Sequence, residues 1–237
     1  MEHGMTDKAK FVLGIECSNP SVRGVNRGEV ALAKLRGDGG LDFIGSMGLS
    51  EDARGSDGLM GAVDALCKEH GVGPADIERI AVSVGPGGYT ALRVSVTVAK
   101  VLSAAIGCGV VAVPTAAVAG VALAAGDDGD DAVVALASKN GKAHCTRVVD
   151  GEFAVLGVVD GAEVSGSGAG VLVGDEHVPA AMVEAAKNAG MEIRGIELTG
   201  RACLEASVGL GGIDRGLLTP MYAREPDAVT QWRALHG

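Results

Sequence analysis

Apolar and polar positions fall into short blocks along the first half of the chain. Phe11–Ser18 (FVLGIECS) is an apolar run closed by an acid and small polar residues, which predicts a buried strand. GEVALAKLRG, from Gly28, alternates apolar and polar positions; GDGG marks a turn, and LDFIGSMGLS reads as a third strand of a meander. SDGLMGAVDALCKEHG then changes period: Leu59, Val63, Leu66 and Cys67 fall on one helical face. Ser56 or Asp57 can cap that helix and Gly71 can stop it. GPADIERI predicts a short helical turn around Pro74, and IAVSVG a strand. After GPGGY, a helix is expected over Thr90–Ile106 with Gly107 as its C-cap, followed by the strand GVVAVP. Strand, helix, strand argues for parallel pairing through a right-handed crossover. PTAAVAGVALAAG predicts one more helix, with Pro114 in its first turn.

The acidic, glycine-bearing segment GDDGDD, Gly126–Asp131, divides the chain into two units, 1–126 and 127–237. Beyond it the pattern restarts. AVVALAS and KAHCTRVVDG predict a hairpin around KNG, and EFAVLGVV adds a strand. AGVLVGD, VPAAMVEAAKNAG, EIRGIEL and GRACLEASVGLG then read as strand, helix, strand and helix. Both halves run strands first and alternate afterwards, which predicts two α/β lobes with mixed sheets flanked by helices.

Composition narrows the function more than the fold. Among 237 residues, 47% are apolar but only 3% aromatic, so Val, Ala and Leu must build the core. The 38 glycines have no Gly-X-Y period, which excludes collagen. A net charge of −10 and the lack of a basic stripe argue against holding nucleic acid alone, because phosphate contacts need clustered Lys and Arg. The five cysteines, Cys17, Cys67, Cys108, Cys145 and Cys203, are widely spaced and fit neither a zinc site nor a redox pair. The polar start MEHGMTDKAK is no signal peptide, and no uninterrupted apolar segment approaches about 20 residues, so a cytoplasmic protein is expected.

The chemistry centres on VGPGGYTALR, between a strand and a long helix. Free N–H groups at a helix start attract anions, and Gly85, Gly87 and Gly88 let backbone approach a ligand. Tyr89 follows them, Thr90 is a candidate N-cap, and Arg93 stands where a capping box would place Glu or Gln. A cation in the first turn opposes the helix dipole by about 0.3–1 kcal/mol, so Arg93 should face an anion: an internal carboxylate, a partner's carboxylate or a phosphate. Glu16, with Ser18 beside it at the end of the first strand, is a candidate for anchoring a metal-bound nucleotide or else a turn acid. There is no Walker lysine, no GxSxG elbow and no paired histidines for a metal.

These motifs together resemble a known family. IAVSVGPGGYTALRVSVTVAKVLSAAIGCGVVAVPT is similar to the strand, GPGSFTGLR loop, long helix and strand of the TsaB (YeaZ) family. FVLGIECSNPS resembles its first strand, and TPMYAREP its closing PxYxR, on Pro220, Tyr222 and Arg224. The resemblance implies a two-lobed actin-like (ASKHA) fold. It also implies a non-catalytic subunit that supports a TsaD-type threonylcarbamoyltransferase in making threonylcarbamoyladenosine on tRNA, with a TsaE-type ATPase as third partner. The implied partner surface is the helical face over Asp57–Glu69 and Thr90–Ser103, through which free copies can also pair as a homodimer. Its contact candidates are Leu59, Val63, Ala91, Ser95, Ala99 and Ser103, although the small residues of the long helix, Ala104 among them, would serve equally for packing on the chain's own sheet. No cofactor is required of this chain, ATP or ADP is a candidate at the partner interface, and tRNA is reached only through the complex. The alternative is a nucleotide-dependent phosphotransferase or ATPase using Glu16 and the glycine loop. A peptidase would need a nucleophile–base pair or a metal site, and the sequence offers neither.

Overall fold

In the computed structural model, residues 9–19, 28–49, 56–124, 131–224 and 227–236 are described. The chain runs β1 (Phe11–Glu16), β2 (Glu29–Leu35), β3 (Leu41–Gly48), α1 (Ser56–Glu69), a 3-10 turn (Pro74–Asp76), β4 (Ile77–Gly85), α2 (Tyr89–Ile106), β5 (Gly109–Pro114) and α3 (Thr115–Ala124). The second half adds β6 (Ala132–Lys139), β7 (Lys142–Val149), β8 (Glu152–Val159), α4 (Gly161–Ser165), β9 (Val171–Gly174), α5 (Ala180–Asn188), β10 (Glu192–Gly195), α6 (Gly200–Ala206) and α7 (Asp227–His236).

Two five-stranded sheets repeat one plan. The first has the order β3-β2-β1-β4-β5 and the second β10-β9-β6-β7-β8. In each, a three-stranded antiparallel meander is joined to two parallel strands through its first strand. The hairpin expected at KNG forms, with Asn140 and Gly141 both at positive φ, as a two-residue turn of this hand requires. Asp150 and Gly151 make the same turn between β7 and β8.

The period of two in the strands sorts the core into layers. Leu13, Ile15, Leu32, Ile80 and Val82 face α1 and α2, whose Leu59, Leu66, Val96 and Ala99 complete that layer. Val12, Ala31, Ala81 and Val111 face the opposite way, onto α3 and α6. α3 is apolar on every side because it lies between the lobes: Ala117 and Val118 meet the first sheet, Ala116 and Ala119 the second. α2 is long and apolar enough to cross a membrane by length and composition, yet it is the helix that seats β4 and the first core.

Three features differ from expectation or go beyond it. The N-cap of α2 is Gly88, with no side-chain bond, and Thr90 is an exposed first-turn residue. α4 is not marked by hydrophobic period; its signal is the capping box of Asp160 and Glu163, in which Asp160 accepts from the N–H of Ala162 and Glu163. α6, although late in the chain, lies on the first sheet, where Gly14 and Gly200 let it approach closely: a Cβ on Gly14 would sit 2.8 Å from Leu204 Cγ and one on Gly200 2.9 Å from Ala31 Cβ. Most of the GDDGDD boundary, and the side chains of Ser56 and Asp57, lie outside the described residues.

Candidate functional site

The two motifs singled out in the sequence, about 130 residues apart, close on one another. β4 delivers Gly85 at φ 109°, a conformation that favours glycine, and the Gly85–Pro86 bond is cis. The Met221 N–H donates to the Val84 carbonyl at 2.6 Å, and a Cβ on Gly85 would lie 2.5 Å from the Met221 carbonyl oxygen. On the other side, the Gly88 N–H donates to the Ser18 carbonyl at 2.6 Å, and a Cβ on Gly87 would lie 2.0 Å from that oxygen. The glycines therefore make room for this chain's own backbone. A phosphate would have to displace Ser18 to reach the Gly88 N–H.

Glu16 is buried just beneath this elbow. Its Oε1 accepts from both the N–H and the hydroxyl of Ser18, at 2.6 and 2.5 Å, while Oε2 is buried without a hydrogen-bond partner. Burial drives its carboxyl above the ordinary range, outweighing the Ser18 hydrogen bonds that favour the anion. A buried carboxyl held by the N–H and hydroxyl of Ser18 fits the turn-acid alternative that the sequence left open. Ser83 and Thr115, joined hydroxyl to hydroxyl at 3.0 Å, are also buried. Asn19 crosses between lobes, donating to the Asp175 carboxylate at 2.7 Å.

Tyr89 and Tyr222 stack with ring centroids 4.9 Å apart, and the Arg93 guanidinium lies 5.4 Å from the Tyr89 ring centre. Arg93 is exposed and 3.5 Å from the Tyr89 hydroxyl; among the described residues no carboxylate of this chain pairs with it. The anion expected opposite Arg93 is therefore not supplied by any of the described residues. Desolvation, with Tyr89 beside it, lifts the Tyr222 phenol above its usual value despite the lowering effect of Arg93. Arg224 is placed otherwise: it donates to the carbonyls of Ala137, Lys139 and Lys142, tying the end of the motif to the β6–β7 turn.

The expected partner contacts need correction. Leu59, Val63, Ser95, Ala99 and Ser103 are buried inside the chain. Ser95 donates to the Leu92 carbonyl, Ser103 donates to the Cys108 carbonyl, and Ala99 belongs to the first core. The small residues bring α2 down onto its own sheet, the intramolecular use that the sequence left open. Ala91 is half-buried. The outward stripe is instead Thr90, Arg93, Thr97, Val101 and Ala104 on α2, beside Met60, Gly61, Asp64 and Ala65 on α1. Of the small residues singled out in the sequence, Ala104 lies on this stripe; the helical period of the exposed positions gives the others.

A cleft of about 800 Å³ lies between the lobes, walled by Ala117 and Gly120 of α3, Val148 of β7, Phe153 of β8 and Met221. It is largely apolar. His144 lines it, with a buried Nδ1 that has no partner, and burial lowers its pKa. No cluster of three or more potential metal ligands exists among the described residues.

Residues 54–165 match the family model of TsaD, tRNA N6-adenosine threonylcarbamoyltransferase. No curated protein matches the sequence. Two solved structures from Pseudomonas aeruginosa share the fold. One, described as an uncharacterized protein with similarity to the peptidase YeaZ, is 17% identical with a TM-score of 0.65, over 91% of this chain and all of that one. The other, YeaZ, is 18% identical with a TM-score of 0.63, over 90% of this chain and 99% of its own. The two-sheet architecture is that of the actin-like α/β fold.

Proposed function

We propose, from an assignment to the TsaB (YeaZ) family that the TsaD-model match and the shared fold support, that this chain is a non-catalytic scaffold of tRNA threonylcarbamoylation. In this reading it binds a TsaD-type transferase in the cytoplasm, and a TsaE-type ATPase and tRNA are met in the assembled complex. One observation carries the proposal: the glycine elbow, where an actin-like enzyme would hold phosphate, is filled by the Ser18 carbonyl and the Met221 backbone. The sealed acid Glu16 supports the same reading. The loop's role is then to hold α2 at a fixed angle, so that its outer stripe forms a docking face with α1. Small side chains on that face, Gly61, Ala65, Thr97 and Ala104, permit close helix approach. Arg93 is the one strongly charged group on the α2 stripe and suits a carboxylate of the partner or a nucleotide phosphate at the joint.

The test is capture of the TsaD-type protein encoded in the same genome by the purified chain, at micromolar concentration. Val101 is 60% exposed and central on the stripe, so Val101→Glu should keep the fold and weaken binding by about tenfold or more. Absence of binding by the unaltered chain, or ATP turnover by it alone that Glu16→Ala abolishes, would sink the scaffold reading in favour of an enzyme.

A further inference from the structure

The long helix α2 differs from the rest of the chain in its charge. The chain carries 30 acidic residues against 20 Lys and Arg, yet α2 has no acid and two cations, Arg93 and Lys100. Seven residues apart, they project from the same side of the helix about 10 Å from one another along its axis, Lys100 at the edge of the outward stripe. The turn after Ile213 extends that edge. Lys100 Nζ donates to the carbonyls of Gly216 and Leu218, at 3.5 and 3.2 Å, and Arg215 donates to the Ser103 carbonyl at 3.2 Å. These bonds lay the turn along α2 and make Arg215 the third cation of a row. Other exposed cations sit on carboxylates: Arg36 on Asp38 and Asp42, Lys68 on Asp64, Arg201 on Glu205. Among the described residues, no carboxylate forms an ion pair with Arg93, Lys100 or Arg215. Their contacts are a tyrosine hydroxyl and backbone carbonyls, which leave the positive charges uncompensated. The acid of the turn, Asp214, accepts from the Gly216 N–H instead, at 2.6 Å.

The same turn presents Leu217. It is 75% exposed although the chain is fastened on both sides of it: its N–H donates to the Asp214 carbonyl at 2.9 Å, and Leu218 is buried in the first core. A leucine held outward by a fixed turn loses little freedom on binding. We infer that this face takes an acidic amphipathic helix of the partner protein, lying along α2. Its Asp or Glu residues, two turns apart, meet Arg93 and Lys100, and its apolar side meets Val101 and Leu217. The inference rests on the scaffold reading and adds the chemistry that the transferase must bring to the joint. A polypeptide suits the face better than RNA does, because Val101 and Leu217 offer apolar contact and a chain of net charge −10 repels a polyanion. Charges set along one edge fix the direction of the partner helix as well as attracting it.

Calorimetric titration with the TsaD-type protein of the same genome, in buffer without nucleotide, tests this. Arg93→Gln, Arg215→Gln and Leu217→Ser each change an exposed side chain, so all three should keep the far-ultraviolet dichroism of the parent. Each arginine variant should weaken binding by about threefold to tenfold at low salt. Its difference from the parent should narrow at about 1 M salt, where charges are screened within about 3 Å. Leu217→Ser should weaken binding by about tenfold at either salt. Lys187→Gln on α5 removes the same charge from the second lobe and should change neither the affinity nor its salt dependence. Arginine variants or a Leu217→Ser chain that bind as the parent does overturn the inference and leave the scaffold reading intact. Arginine losses that persist unchanged at high salt do the same, as do losses that appear only when ADP is added, which would assign Arg93 to a nucleotide phosphate. A parent chain that does not bind at all overturns both.

Discussion

Glycines of this chain divide sharply by what surrounds them. Gly87 faces the Ser18 carbonyl, so an added methyl must displace backbone, whereas Gly61 on the exposed side of α1 faces open space. Gly87→Ala should therefore cost about 3 kcal/mol, toward the upper end of overpacking, and Gly61→Ala should gain about 0.5–1 kcal/mol from helix propensity. Urea midpoints at constant slope would test both, and an unaffected Gly87→Ala would remove the argument that the elbow is filled. Glu16 gives a second residue-level prediction. Its folded pKa is raised, so the native state holds the proton more tightly than the unfolded chain does. The resulting penalty is absent below the ordinary carboxyl pKa of about 4.5 and grows as pH rises through the folded pKa. Asp131, held below its usual range by hydrogen bonds from Arg147, has the opposite sign: its contribution is lost as pH falls. Comparing Glu16→Gln with the parent isolates Glu16. The variant should gain in relative melting temperature from about pH 4.5 upward, and parallel curves would refute the assignment. The sequence made Glu16 and the glycines conspicuous, but not which atoms fill the loop, because Ser18 and Met221 reach it from opposite ends of the chain.

At the level of elements, the strands, α1 and α2 were legible because their apolar period is long enough to declare itself. β1 alternates between two cores, and α2 buries Leu92, Val96 and Ala99 on one side. α6 was legible as a helix but not in its placement. Seven residues, GRACLEA, carry no sign that they belong on the first sheet, and the Gly14–Gly200 approach that admits them is a contact between residues far apart in sequence. α4, five residues long, is too short to show a period and depends on its cap, whereas α7 turns its apolar stripe to solvent. Gly200→Val tests the close approach of α6. Its branched side chain would meet Ala31 and the β2 backbone, costing about 1–3 kcal/mol, read as a lower urea midpoint. No change would mean that α6 is not held against β1 and β2.

Over the whole molecule, the duplicated plan was readable as two patterns either side of residue 126, whereas the crossing of the chain back to the first lobe was not. After β10 the chain returns: α6 covers the first sheet, Ile213 bridges Val110, Lys100 holds the Leu218 carbonyl, and Met221 pairs with Val84 before Arg224 ties down the β6–β7 turn. Truncation should separate these contributions. Ending the chain after Arg224 removes a helix that packs little and should leave the melting temperature of the monomer within about 2 °C, corresponding to under about 0.5 kcal/mol. Ending it after Leu198 removes α6 and the Met221 contact and should abolish cooperative unfolding; a normal transition there would show that the return is dispensable. The return also sets a clock during synthesis. The first sheet is complete in sequence at Pro114, yet the helix that seals one of its faces begins at Gly200. At about 5–20 residues per second the ribosome needs roughly 4–17 s to bridge that gap. Throughout that interval Val12, Ala31 and Ala33 on the nascent chain await their cover, so the first lobe to be translated is among the last parts to close.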